Sequence, residues 1–129
     1  MTQNEYLSSF LRKHRNAVII GSLGKISKDL GELDNGKNKI IKVKGGMGCV
    51  MGIGLGYALN TRKKVYVLVG DGAFLMKLGS VALLNKYRPS NLEVIILNNN
   101  KYNSCGGQST NFKYLKQNYE KTVLLTNDL

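Results

Sequence analysis

Apolar and polar positions run along this chain in blocks whose period switches between that of a helix and that of a buried strand. Residues 5–15 set Tyr6, Phe10 and Leu11 broadly on one side of an amphipathic helix, and residues 17–20 form a short apolar strand. Residues 22–33 read as a loop and a helix ended by the turn-rich Asp34-Asn35-Gly36, and residues 39–43 as a second strand. Residues 48–59 read as helical although Gly48, Gly52 and Gly56 recur every four residues and stack on one face. Each glycine costs a helix about 1 kcal/mol relative to alanine, so the bare face implies close packing on the sheet or on a partner subunit. A strand over residues 65–69 leads into a helix over residues 73–86 that carries Phe74, Leu75, Leu78, Val81, Ala82 and Leu84. Arg88-Pro89-Ser90-Asn91 stops it, and residues 92–97 return as a parallel strand. A helix over residues 112–119 and a strand over residues 122–125 complete the pattern. Five strands alternating with helices predict an α/β fold, a doubly wound, mostly parallel sheet with helices on both faces, in a single domain over residues 1–129.

Composition narrows the possibilities. With 129 residues and 43% hydrophobic content the chain can bury a core, although a domain of this size is only marginally stable. No segment approaches the roughly 18 unbroken apolar residues of a membrane span, and Glu5 with Arg12-Lys13-His14-Arg15 interrupts any signal-peptide pattern, so the expected compartment is the cytoplasm, with no membrane partner. The net charge of +11, from 19 Lys and Arg against 8 acidic residues, points to an anionic partner. Nucleic acid is the obvious rival, yet Lys37, Lys39, Lys42, Lys44, Lys63, Lys64, Lys113 and Lys116 are scattered without aromatic interleaving or a recognition-helix pattern. Cys49 and Cys105 show neither metal-type spacing nor a disulfide framework, and the single histidine, His14, sits in the basic cluster, so no Ser-His or Cys-His pair can be argued.

The chemistry lies at two strand ends. Val65 to Val69 runs into Gly70-Asp71-Gly72-Ala73, and Val94 to Leu97 runs into Asn98-Asn99. If these strands are parallel neighbours, Asp71 and Asn99 emerge side by side at the carboxyl edge, where open α/β sheets bind ligands. A small hard cation such as Mg2+ takes about six oxygens, few of them from protein and the rest from water and phosphate. Asp71 offers charge and Asn99 a neutral carbonyl, while Gly70 and Gly72 omit side chains where the backbone turns sharply and approaches a phosphate. The amides of Gly72 and Ala73 would then open a helix toward the anion. Alone, Gly-Asp-Gly is a common turn; with the paired asparagines it is far more specific.

These residues resemble the signature of thiamine-diphosphate enzymes. Gly45-Gly46-Met47-Gly48 is similar to the stretch that receives the cofactor's aminopyrimidine in that superfamily. Asn98 through Thr110, with its Gly106-Gly107-Gln108-Ser109 element, is similar to a loop of phosphonopyruvate and sulfopyruvate decarboxylases. The likeness covers residues 18–110 and implies the cofactor-binding β subunit of a decarboxylase acting on an anionic 2-oxo acid. It implies thiamine diphosphate and Mg2+ as cofactors, with the metal on Asp71, Asn99 and the main-chain carbonyl of Lys101, and Asn98 supporting the turn. It further implies that Gly45 and Gly46 face the aminopyrimidine, that Met47 wedges beneath the bent cofactor, and that Gly70, Gly72, Ala73, Ser22 and Tyr102 complete the cofactor contacts. Lys25, Gln108, Ser109 and Thr110 are the expected polar rim toward the substrate. The chemistry belongs to the cofactor, so no nucleophilic side chain is required.

Three departures stand out. Ser22-Leu23-Gly24-Lys25 replaces a more hydroxyl-rich version of that loop, Lys101 stands where the family usually has a small residue, and the chain ends at Leu129, short of an expected last helix and strand. The family also needs a glutamate from a separate pyrimidine-binding domain, and Glu5, Glu32, Glu93 and Glu120 do not sit in one. The resemblance therefore implies a hetero-oligomer with an α subunit carrying that domain. Two alternatives stay open: a subunit of another thiamine-diphosphate enzyme, such as an acetolactate synthase-like carboligase, and a noncatalytic α/β nucleotide- or nucleic-acid-binding module.

Overall fold

The computed structural model describes residues 1–116 and 120–126. Five strands, β1 (Val18–Gly21), β2 (Lys39–Lys42), β3 (Val65–Gly70), β4 (Leu92–Asn98) and β5 (Lys121–Leu124), form one sheet in the order β2-β1-β3-β4-β5. Every neighbouring pair is parallel, so the sheet is wholly rather than mostly parallel. Parallel strands need crossovers, and helices supply them on both faces. Helices α1 (Gln3–Lys13) and α2 (Lys25–Leu33) cover one face through Leu7, Phe10, Leu11, Ile26 and Leu30, packed on Ile19, Tyr66, Leu68, Ile95 and Leu97. Helices α3 (Val50–Leu59), α4 (Asp71–Met76) and α5 (Ser80–Tyr87) cover the other, over Val18, Ile20, Val67, Val69, Val94 and Ile96. Alternate residues of the inner strands β1, β3 and β4 thus feed opposite cores, which is why β3 and β4 read as unbroken apolar runs. Among the described residues no helix is long and apolar enough to cross a membrane.

Three sequence expectations are corrected. The helix expected over residues 73–86 is two helices, separated at Lys77 to Gly79 by a run of three-residue turns: Ser80, Val81 and Ala82 donate their amides to the carbonyls of Lys77, Leu78 and Gly79 at 2.8, 3.0 and 3.1 Å. Lys77 leaves helical dihedrals there (φ −126°, ψ 38°), its side chain packed where a Cβ on Gly48 would stand. Of the two packings expected of the glycine face, the one on the sheet is corrected: the close approach of α3 comes from Gly54, whose missing Cβ makes room for Val67, whereas Gly52 and Gly56 face open space. The helix expected from residue 112 is a single 3-10 turn, Phe112–Tyr114; residues 117–119 of that expectation lie outside the described residues.

Candidate cofactor site

The strand order reverses between β1 and β3, and the crevice beyond the carboxyl ends of the strands at such a reversal is where open α/β sheets take their ligands. A cleft of about 160 Å³ opens there. From β1 and its loop come Ser22 and Lys25, from the glycine loop Met47, from β3 and α4 Gly70, Gly72 and Ala73, and from the end of β4 Asn99, Lys101 and Tyr102.

Asp71 is the first residue of α4, set by the end of β3, and is only 2% exposed. β3 and β4 pair in register up to Gly70 opposite Leu97, which brings the next residues of both strands together. The Asn99 amide accordingly donates to Asp71 Oδ1 at 3.4 Å, and the Thr110 hydroxyl donates to Asp71 Oδ2 at 2.5 Å. Both donors are neutral. Among the described residues no cationic side chain pairs with this carboxylate. A buried charge is costly unless it is paired or coordinates a metal, and a carboxylate has about four lone-pair sites, of which two are used here. One residue beyond Asn99, the side-chain oxygen of Asn100 is buried and lacks a hydrogen-bond partner among the described residues. Hard oxygen acceptors left in excess of donors are what a small divalent cation satisfies, so these residues fit one.

The β4 tip holds its shape through two turns of side chain on backbone. Asn98 Oδ1 accepts from the Asn100 amide at 2.9 Å and Asn99 Oδ1 from the Lys101 amide at 3.0 Å, with Asn100 at φ +61°. The support expected of Asn98 is thus present. Gly70 makes the turn from β3 straight into α4 without left-handed backbone (φ −71°). Gly72 is bare for a different reason than a phosphate alone: a Cβ there would stand in the Tyr102 ring.

The remaining expected residues divide. Gly45 and Gly46 are exposed and outside the cleft wall, although Gly48 of the same loop lies against the Ala73 carbonyl on α4. Lys25 lines the cleft with its ammonium 2.8 Å from Asp29 Oδ2, where the Gln3 amide also donates at 2.9 Å. Gln108 and Ser109 are exposed and outside the wall, and Thr110 is buried beneath them on Asp71. Pattern reading placed neither Gln3 nor Leu125 at the cleft, because only the folded sheet brings both chain-terminal segments there; the Leu125 amide donates to the Asn98 carbonyl at 2.8 Å. Cys105 lines the cleft, and both cysteines are exposed.

Residues 20–128 match the family described as thiamine pyrophosphate enzyme, C-terminal TPP binding domain. The chain belongs to this family. Three similar relatives add detail to the thiamine pyrophosphate assignment. A phosphonopyruvate decarboxylase from Streptomyces viridochromogenes is 41% identical over 96 residues, 74% of this chain and 24% of that protein. The sulfopyruvate decarboxylase subunit beta of Methanocaldococcus jannaschii is 38% identical over 93 residues, 72% of this chain and 49% of that subunit. The subunit of the same name from Methanococcus maripaludis is 32% identical over 110 residues, 85% of this chain and 59% of that subunit. The chain therefore spans about a quarter to three-fifths of the length of these relatives.

Proposed function

We propose that this thiamine pyrophosphate domain is the cofactor-binding part of a decarboxylase for an anionic 2-oxo acid, phosphonopyruvate or sulfopyruvate, and works with a separate α subunit. The observation that carries this is Asp71, a buried carboxylate held among the described residues by neutral donors only and flanked by Asn99 at the strand-order reversal. In this reading Asp71, the Asn99 side chain and the Lys101 main-chain carbonyl would hold Mg2+, which would supply positive charge for a diphosphate, and Gly70, Gly72 and Ala73 would line the diphosphate's place. Gly45, Gly46 and Met47 receive the pyrimidine end, with Met47 as an adaptable apolar wedge. Ser22 and Tyr102 close the wall, and Lys25, Gln108 and Ser109 supply polar groups toward the substrate's second anionic end. Bound thiamine diphosphate supplies the electron sink that a departing carboxylate requires. The bond to the carboxyl carbon of the substrate breaks, CO2 leaves, and a proton takes its place to give phosphonoacetaldehyde or sulfoacetaldehyde. The names of the relatives support the substrate class, and the name subunit beta supports a partner. The glutamate that engages the pyrimidine ring is assigned to that partner.

The test mixes the purified chain with its candidate α subunit, Mg2+, thiamine diphosphate and each oxo acid. CO2 release with one of the two substrates is expected, and Asp71→Asn abolishes it. A folded, cofactor-loaded mixture that releases none from either would refute the decarboxylase reading.

A further inference from the structure

Between Asn100 and Thr110 the chain leaves the sheet and comes straight back. The Thr110 amide donates to the Asn100 carbonyl at 3.1 Å, Tyr102 and Gln108 are joined amide to carbonyl at 2.9 Å, and Lys101 bridges antiparallel to Ser109. The loop thus delivers Thr110 to the Asp71 carboxylate, 39 residues away in sequence. The direction of that bond is fixed. A hydroxyl has one proton, and the Phe112 amide, 3.3 Å away, donates into Thr110 Oγ1, so the hydroxyl proton goes to Asp71 Oδ2. Phe112 is itself anchored, 5% exposed and edge-on to Phe74 of α4, the helix that Asp71 begins. Oδ2 is thereby tied, while Oδ1 has among the described residues only the long 3.4 Å contact from Asn99 and keeps lone pairs to spare.

We infer that Thr110 is a positioning residue for the metal site: its buried hydroxyl orients the Asp71 carboxylate and couples the 101–109 loop to that carboxylate. The inference rests on the reading of Asp71 as a metal ligand. Groups that hydrogen-bond a ligating side chain set its orientation, and losing one typically lowers metal affinity about 10–100-fold. A rim role toward substrate, by contrast, would leave metal affinity untouched.

The experiment titrates Mg2+ into the full chain at fixed thiamine diphosphate, reading heat of binding well below each variant's melting temperature. Thr110→Val keeps the shape and removes the hydroxyl, and is expected to weaken Mg2+ binding about 10–100-fold; Thr110→Ser restores the hydroxyl and most of the affinity. Thr110→Ala gives the same comparison should the valine variant melt early. A second readout is trypsin cleavage at exposed Lys101, which Mg2+ with thiamine diphosphate slows in the parent and in Thr110→Ser but not in Thr110→Val. Unchanged affinity in the valine and alanine variants, with Asp71→Asn unable to bind, would overturn this inference alone. Parent-like Mg2+ binding by Asp71→Asn would overturn the metal reading and this inference with it.

Discussion

At the scale of single residues, the candidate site depends on atoms that are left out as much as on those present. Gly72 lies under the Tyr102 ring, with no room for a Cβ. In Gly72→Ala the ring must move, and Tyr102 carries the loop whose other end holds Asp71. We expect that variant to lose Mg2+-dependent thiamine diphosphate binding by at least about tenfold, measured by titration, by the same second-sphere logic that governs ligand orientation. Asp71 and Asn99 were legible in the sequence because each ends a strand in an oxygen donor and no other segment does so in a matching pair. Thr110 was legible only as a polar residue in a loop. Its burial follows from the return path between Asn100 and Thr110, and no periodicity encodes a path.

At the scale of elements, the inner strands β1, β3 and β4 could be read directly, because each is apolar on both faces, while the edge strands carry only the apolar pairs Ile40-Ile41 and Val123-Leu124. The glycines of α3 show where such reading stops. A four-residue spacing picks out Gly48, Gly52 and Gly56, yet it is Gly54 whose missing side chain seats the helix on Val67. The heptapeptide Gly52 to Ala58 is so uniformly apolar that hydrophobicity does not say which side faces the sheet. Val67 is fully buried and β-branched, so it has little rotamer freedom with which to yield. Gly54→Ala is therefore expected to destabilise by about 1–3 kcal/mol through overpacking. Gly52→Ala, with open space around it, should instead stabilise the chain by up to about 1 kcal/mol through helix propensity. Urea denaturation of the two variants reads the opposite signs. The break between α4 and α5 was hidden for a related reason: Phe74, Val81 and Leu84 keep helical spacing across it.

At the scale of the whole molecule, charge and pH act through groups far from the cleft. His14 follows α1, with its ring 4.2 Å from that of Phe10 and 4.5 Å from that of Tyr66. Burial among these rings holds its pKa below the ordinary value of about 6.5. The Glu93 carboxylate pulls the other way, and the ammonium groups of Lys121, Lys13 and Lys64 push it down further. Between the folded and unfolded pKa values the unfolded chain binds more protons, so stability rises with pH there and is lost as pH falls from about 6.5 through the folded value. Glu120 has the opposite sign: burial raises its pKa despite the Arg88 guanidinium 2.9 Å away, so its contribution declines as pH rises above the ordinary carboxylate range. The melting temperature should fall as pH drops just below 6.5, and His14→Phe should flatten that slope in thermal melts.

The modest size of the cleft has a thermodynamic corollary. If the proposed α subunit docks beside the cleft and covers part of the bound ligand, uptake of the vitamin derivative and assembly become linked equilibria. Whatever factor assembly adds to the hold on the ligand, the ligand must return in full to assembly.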